Sequence, residues 1–426
     1  MSNAAERILV RAGKNPLTPM TAERSLAISP TGVFGTNAGN MLFYTGAWRT
    51  LLTDDADLVA DGYAMEREDA AGAADRISDG FDRVVIPLAN AFRGSFVAHL
   101  ERLTEVVRGL RVPVTVLGIG AQRKLDAGVD SMPDEVRTAA KAFVGAVLDR
   151  SPSIGVRGEV TRDFLTDLGF DDANIDVIGC PSLYGFGGDG TLKAAGDVAS
   201  DAAIAVTYSP YLRDIGPFVR EVTGAYRDSY VVPQTVEALA LMLWGEPTRY
   251  AGNPDLPESD AHELYRSDRM RFFVDATTWI DTLRDRDLVV GTRIHGTIAG
   301  LLAGVPSILI AHDTRTLELA RFHAIPHLPK HALRRVDLQR WYQQSDFAGF
   351  TAAHAGNVAV YRDFLHRHGL AHTLDQENTR FDRELATLEL APPVRTRFAA
   401  GAAGRRPLAA RWRHRVSGAL KTVRGR

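Results

Sequence analysis

Cysteine is nearly missing from this chain, and that shortage removes several function classes at once. Cys180 is the only one among 426 residues, so an intrachain disulfide and a cysteine-rich metal site are excluded, and a reducing compartment is the natural setting. Long hydrophobic runs are also missing, so no segment reads as a bilayer span. The first fourteen residues lack the apolar stretch of a secretory signal, which predicts a cytoplasmic protein. No HExxH, EF-hand or Cys/His cluster occurs, and no metal or cofactor is expected. The fragments Asp55-Ala-Asp57 and Asp285-Arg-Asp287 look like a metal-binding DxD, but two-letter patterns recur by chance and neither follows a strand. No GxGxxG or Walker loop is present, and no GxSxG elbow supports a Ser-His-Asp triad.

What is present is an ordinary globular composition, 45% hydrophobic and 24% charged. Its length favours two domains over one core. The net charge of −2 conceals an asymmetry: ten Lys/Arg and no Asp/Glu fall after residue 394, leaving 40 basic against 52 acidic residues, or −12, before it. A basic tail on an acidic body disfavours nucleic acid as a partner, since no nucleic-acid motif accompanies it. Leu408, Trp412, Val416 and Leu420 sit among arginines at near-helical spacing, the pattern of a helix lying on anionic lipid at the inner face of the membrane. A solvated tail is the commoner outcome for such a composition.

Strand and helix signals alternate along the body. Strands are expected at residues 26–28, 84–86, 114–117, 154–156, 175–178, 203–207, 230–232, 272–274, 288–290 and 308–310. Helices are expected at 41–52, 94–109, 133–149, 159–168, 217–226, 236–243 and 277–284, with residues 62–80 as an exposed insertion. The pattern divides into an irregular start (1–25), an α/β domain (26–186), a glycine-rich linker (187–200) and a second α/β domain (201–355). An amphipathic helix (356–375) then packs back across both, and a tail (376–426) follows, strongly basic from 395.

The most informative stretch is Asp287-Leu-Val-Val-Gly-Thr-Arg-Ile-His-Gly-Thr-Ile-Ala-Gly, a strand, a polar turn and a helix start. In an open α/β sheet this is where anions bind, because free backbone N–H groups point outward there. The turn carries Arg293 and His295. Gly32-Val-Phe-Gly-Thr-Asn-Ala-Gly-Asn40 has a similar layout, although glycine in a tight turn explains it equally well.

Together with Ser153-Ile-Gly-Val-Arg-Gly-Glu-Val-Thr-Arg-Asp-Phe-Leu-Thr-Asp-Leu-Gly169, Asn37-Ala-Gly-Asn40, Leu117-Gly-Ile-Gly-Ala-Gln122 and Gly179-Cys-Pro-Ser182, the run Val289-Val-Gly-Thr-Arg-Ile-His-Gly-Thr-Ile-Ala-Gly-Leu-Leu-Ala-Gly-Val-Pro306 resembles the polysaccharide pyruvyl transferases. The resemblance covers roughly residues 30 to 370. It implies two Rossmann-like domains facing a cleft, similar to GT-B glycosyltransferases. The implied reaction moves the enolpyruvyl unit of phosphoenolpyruvate onto two hydroxyls of a sugar in a polysaccharide, glycolipid or lipid-linked precursor, giving a pyruvate ketal and free phosphate. The chain departs from the family pattern at Asn40, where many members carry Asp, and at Pro87-Leu-Ala-Asn90, where a glycine pair is usual. Both departures lie on the acceptor side.

The resemblance implies His295 as general acid toward the vinyl carbon, a role that histidine suits because its pKa lies near neutrality. A satisfied structural histidine would be the ordinary alternative. Arg293, Arg157 and Arg315 would clamp the anionic donor, with His312, Gly296 and Thr297 beside them. The plainer readings are an interdomain salt bridge for Arg293 and a surface pair with Glu159 for Arg157, and Asp313 reads as a helix cap. Asn37, Asn40 and Gln122 are the candidates for orienting acceptor hydroxyls. Two other functions fit the same pattern: a nucleotide-sugar-dependent GT-B glycosyltransferase, and a non-catalytic glycan-binding relative.

Overall fold

In the computed structural model of the protein, the described residues are 5–398, without 29–31, 36, 124, 126, 127, 129, 130 and 194–197. The first unit runs β1 (Glu6–Val10), α1 (Ala22–Ala27), α2 (Gly39–Leu51), β2 (Ala56–Ala60), α3 (Ala70–Gly80), β3 (Arg83–Pro87), α4 (Val97–Gly109), β4 (Val114–Leu117), α5 (Asp134–Leu148), β5 (Ile154–Val156), α6 (Glu159–Asp167) and β6 (Ile175–Val177). Its four-stranded sheet has the order β2-β1-β3-β4, all parallel. The pair β5-β6 continues it, because Ile119 N–H donates to Gly155 O and Arg157 N–H to Ile119 O, at 3.1 and 3.0 Å.

The second unit contains β7 (Ile204–Thr207), α7 (Ile215–Ala225), β8 (Ser229–Val232), α8 (Val236–Trp244), α9 (Glu263–Arg266), α10 (Ala276–Leu283), β9 (Leu288–Gly291), α11 (Ile294–Leu302), β10 (Ser307–Ala311), α12 (Thr314–Phe322) and β11 (His327–Pro329). Its order is β8-β7-β9-β10-β11, again parallel. Both sheets therefore step outward from one strand and reverse once, between β1 and β3 and between β7 and β9. Loops leaving the carboxyl ends at such a reversal diverge and open a crevice between them. The chain is thus an α/β protein of two parallel-sheet units, the class expected from its alternation.

Near-continuous apolar strands follow from this layout, since helices cover both faces of a parallel sheet. Val84, Val85, Ile86, Val289, Val290 and Ile308 are fully buried. Gly291 ends β9 where it lies against β7: a Cβ there would stand 1.8 Å from Thr207 O.

After β11 come α13 (Leu338–Gln344), α14 (Phe347–Arg367) and α15 (Arg380–Leu385). Helix α14 touches both units. Asn357 donates to Phe322 O at 3.3 Å, while a Cβ on Gly155 would meet Phe364 at 3.1 Å. Past it, Arg49 pairs with Asp382 at 2.6 Å, tying α15 to the first unit. Val394 then bridges Phe272 in the second unit.

Several sequence expectations change. The start is not irregular: Glu6–Val10 is an inner strand paired on both sides, with an apolar core of Ile8, Leu9 and Val10. Residues 26–28 are the end of α1 and the residue after it, where Thr21 Oγ1 caps the helix by accepting from Arg24 N–H. The supposed insertion 62–80 contains α3, which buries Ala73, Ala74 and Ile77. Residues 272–274 form a single bridge in place of a strand. The tail starts later than residue 376, and Arg395 and Arg397 are ion-paired with Asp268 and Asp260. The remaining basic residues lie outside the described residues. Among the described residues no helix is long and apolar enough to cross a membrane.

Gly291→Ala should force β9 away from β7. Thermal or urea unfolding of the full chain should register a loss of roughly 3 kcal/mol, and an unchanged transition would show that the strand end tolerates displacement.

Candidate functional site

A cavity of about 510 Å³ lies between the two units, a size typical of ligand sites. Six arginines line it, Arg11, Arg67, Arg93, Arg157, Arg293 and Arg315, against one carboxylate, Glu66. Each arginine follows the carboxyl end of a parallel strand: β1, β2, β3, β5, β9 and β10 respectively. The topology therefore brings together residues separated by up to three hundred positions.

His295 lies in the first turn of α11, whose N-cap position, Arg293, makes no side-chain cap. The first N–H groups of that helix are left for an external acceptor, with the positive end of the helix dipole behind them. The imidazole reaches across the units to α2: a Cβ on Gly39 would come within 2.5 Å of His295 Nδ1. Phe43 meets the ring edge-on with centroids 5.9 Å apart. His295 Nε2 is buried without a protein partner, so an acceptor or donor from outside the chain would satisfy it there.

Burial, then the charges of Arg157, Arg315 and Arg293, lower the His295 pKa to about 3. The histidine expected to give a proton near neutrality is therefore held neutral while the cavity is empty. Loss of hydration and nearby like charge both penalise the imidazolium.

The arginines are held mainly by carbonyls. Arg293 Nε donates to Tyr208 O at 3.0 Å, and its guanidinium lies 5.7 Å from the Tyr211 ring centroid. Arg157 is 2% exposed, donates to Gly118 O at 3.4 Å, and keeps Nε unpartnered. Burial lowers its pKa to about 10, opposed by Glu318. The alternative surface pair with Glu159 does not form, and Glu159 bonds Arg162 at 2.8 Å. Arg315 pairs with Asp313 at 3.1 Å. Asp313 also caps α12 through a reciprocal bond with Thr316.

Other sequence candidates stand elsewhere. Gly296 and Thr297 do not line the cavity. A Cβ on Gly296 would lie 2.5 Å from Thr207 Cγ2, and Thr297 is fully buried with its hydroxyl toward Arg293 O. Both residues support α11 from behind. His312 is also outside the lining, 3.2 Å from Tyr211 OH, with a pKa lowered to about 4, chiefly by burial. Asn37 and Asn40 do line the cavity. Asn37 Oδ1 accepts from Gly39 N–H at 2.8 Å, and Asn40 donates to Phe34 O at 2.8 Å. Gln122 sits behind the lining residue Asn90, accepting its amide proton at 2.7 Å.

Sequence reading missed Glu318, the buried carboxylate that joins the units. It accepts from Thr161 N–H and Oγ1–H of α6, at 3.0 and 2.9 Å. Burial raises its pKa to about 7, with Arg157 pulling it down. Beside it, Arg123 N–H donates to Thr314 Oγ1 at 3.0 Å. It missed Arg11, Arg67 and Arg93 as well. Only their positions after strands could have marked them, and two of those strands were not recognised. Among the described residues, no group of three or more His, Cys, Asp or Glu is arranged to hold a metal.

Removing one neighbouring charge should relieve the histidine. In the ligand-free protein, Arg315→Gln should raise the His295 pKa, read from its ring resonances by NMR; an unmoved titration would remove the electrostatic account.

A search of the curated proteins found no match. Among solved structures, the chain is similar to the UDP-N-acetylglucosamine 2-epimerase of Rickettsia bellii, at 12% identity over 85% of this chain and 96% of that one, with a TM-score of 0.45. The UDP-GlcNAc 2-epimerase of Methanocaldococcus jannaschii in complex with UDP-GlcNAc and UDP is 12% identical over 84% and 99%, TM-score 0.42. That of Neisseria meningitidis bound to UDP-GlcNAc is 8% identical over 84% and 100%, TM-score 0.41. Likeness this distant transfers none of their ligands to this chain. The family model described as polysaccharide pyruvyl transferase matches residues 37–314, a span that contains Arg157, Arg293 and His295, and the chain belongs to that family.

Proposed function

We propose that the protein transfers the enolpyruvyl unit of phosphoenolpyruvate to a sugar diol, forming a pyruvate ketal and releasing phosphate. One observation carries this reading: Arg157, Arg293 and Arg315 surround a buried, unpartnered His295 at an uncapped helix start. Such a site suits a small trianion that must also receive a proton.

The donor's phosphate and carboxylate would offset the arginine charges that hold His295 neutral, so binding raises its pKa and brings a proton onto Nε2. That proton passes to the vinyl CH2, and its electron pair comes from the C=C bond, leaving an oxocarbenium-like centre at C2. One sugar hydroxyl forms a C–O bond there and gives up its proton. The C2–O bond to phosphate then breaks, its electrons leaving with the phosphate. The second hydroxyl closes the ketal and releases the second proton. One of the two protons passes to the departing phosphate, and His295, neutral after its first transfer, is placed to collect the other. Asn37 and Asn40 line the side from which the sugar would approach, while Gln122 acts only through Asn90.

Phosphoenolpyruvate with a pool of glycan acceptors should release phosphate, and His295→Ala should lower kcat by about 100-fold or more. At pH 8, where the donor's phosphate is already ionised, calorimetry in buffers of different ionisation heat should register proton uptake on donor binding. Uptake persisting in His295→Asn would put the proton elsewhere. A thermal shift given by UDP and not by phosphoenolpyruvate would favour a nucleotide-sugar enzyme.

The basic sequence after residue 398 supports peripheral contact with anionic lipid, where a lipid-linked acceptor would reside. Co-sedimentation with anionic liposomes should fall when residues 399–426 are removed; equal pelleting would discard this contact.

A further inference from the structure

The donor reading uses only part of the cavity's charge. Phosphoenolpyruvate, with three negative charges when ionised, would sit against Arg157, Arg293 and Arg315, the last of which already shares Asp313 at 3.1 Å. Arg11 is already committed to Glu66 through a 2.6 Å hydrogen bond. Arg67 and Arg93 remain, and among the described residues neither lies within ion-pair distance of a carboxylate. Carbonyls hold Arg67, at 3.1 Å from Tyr63 O and 2.5 Å from Gly62 O. Arg93 Nε donates to Ser95 Oγ at 3.0 Å, with its guanidinium 5.5 Å from the Phe96 centroid.

These two arginines orient their charge without neutralising it, and both line the same cavity as His295. They come from the first unit, at the carboxyl ends of β2 and β3, whereas Arg293 and Arg315 come from the second. Phe96 and His99 stack there with centroids 5.1 Å apart, giving an apolar surface beside the charge. Tyr211, 51% exposed, belongs like Arg293 to the second unit and its ring lies 5.7 Å from that guanidinium. An aromatic face beside a pair of cations suits a sugar ring that bears an anionic group.

We propose that Arg67 and Arg93 form a second anion subsite, and that the acceptor is a phosphorylated sugar whose phosphate or diphosphate sits there while its hydroxyls face His295. This rests on the donor reading above for the identity of the first anion. Two uncompensated guanidinium groups match the roughly two charges of a phosphate monoester or diphosphate better than a neutral hexose. The same chemistry is presented by a sugar 1-phosphate, a nucleotide diphosphate sugar and a lipid diphosphate sugar.

The test titrates inorganic pyrophosphate into full-length protein saturated with phosphoenolpyruvate. One further equivalent should bind, and the variant carrying Arg67→Gln and Arg93→Gln should weaken it about tenfold or more while holding phosphoenolpyruvate within twofold. Arg67→Gln alone, at an exposed position, should give a smaller loss in the same direction and covers the case in which Arg93 is needed for folding. Pyrophosphate that only displaces phosphoenolpyruvate, or binds the variants as tightly as the wild type, would overturn the subsite. A hexose 1-phosphate, a UDP-hexose and a short-chain polyprenyl diphosphate hexose are then compared with a neutral methyl hexoside. Tighter binding of one phosphorylated form identifies the source, and equal binding of the neutral hexoside defeats the proposal. If the wild type binds pyrophosphate through Arg67 and Arg93 but never binds phosphoenolpyruvate, the donor assignment falls and the second subsite stands.

Discussion

The proposed function depends on an excess of positive charge held in one cavity. Six arginines and one carboxylate line it, and desolvation makes that imbalance costly. The cavity tolerates it because the guanidinium groups are positioned largely by backbone carbonyls, which accept hydrogen bonds without cancelling charge: Tyr208 O for Arg293, Gly118 O for Arg157, Tyr63 O for Arg67. A carboxylate at each of those places would fix the same geometry and abolish the potential. Strand ends supply such carbonyls, and both parallel sheets direct their carboxyl ends at the same space.

That placement also explains the junction between the units. Arg157 belongs to the first unit and Arg293, His295 and Arg315 to the second, so the site exists only while the units are held together. Glu318 does this with a buried carboxylate that accepts from Thr161 and faces Arg157, and the Arg123–Thr314 pair does it beside the cavity. An ionised group in that position is stabilised by Arg157 and opposed by burial. The chain after α14 then returns to each unit in turn, through Asp382 and through Val394.

Much of the fold was legible because parallel strands covered on both faces read as uninterrupted apolar runs: 114–117 and 154–156 fall on β4 and β5 as expected. Strands β1 and β2 were not recognised, although their apolar runs Ile8–Val10 and Leu58–Ala60 are as long as that of β3. The turn with Arg293 and His295 stood out because local glycines and a strand-to-helix change mark it. Arg11, Arg67 and Arg93 carry no such mark. An arginine in a loop looks the same whether it faces solvent or a cavity, and only the strand order decides. His295 offers the sharper lesson: its residue type suggested an acid near neutrality, and its surroundings make it neutral at rest.

That resting neutrality fits the proposed reaction in a way a permanently protonated histidine would not. An imidazolium beside three arginines would add a fourth positive charge to a site where Asp313 and Glu318 only partly oppose them. In the proposed reaction a neutral ring avoids this and would become an acid only when the donor's charges arrive. Departure of phosphate would then restore the excess of positive charge and drive the proton off Nε2. On this view, the charge that binds the donor also limits when protonation of the vinyl carbon can occur, because the same three arginines govern both events. Gly39 matters to this arrangement as much as the arginines do, since any side chain at the start of α2 would enter the space of the imidazole that the charges control.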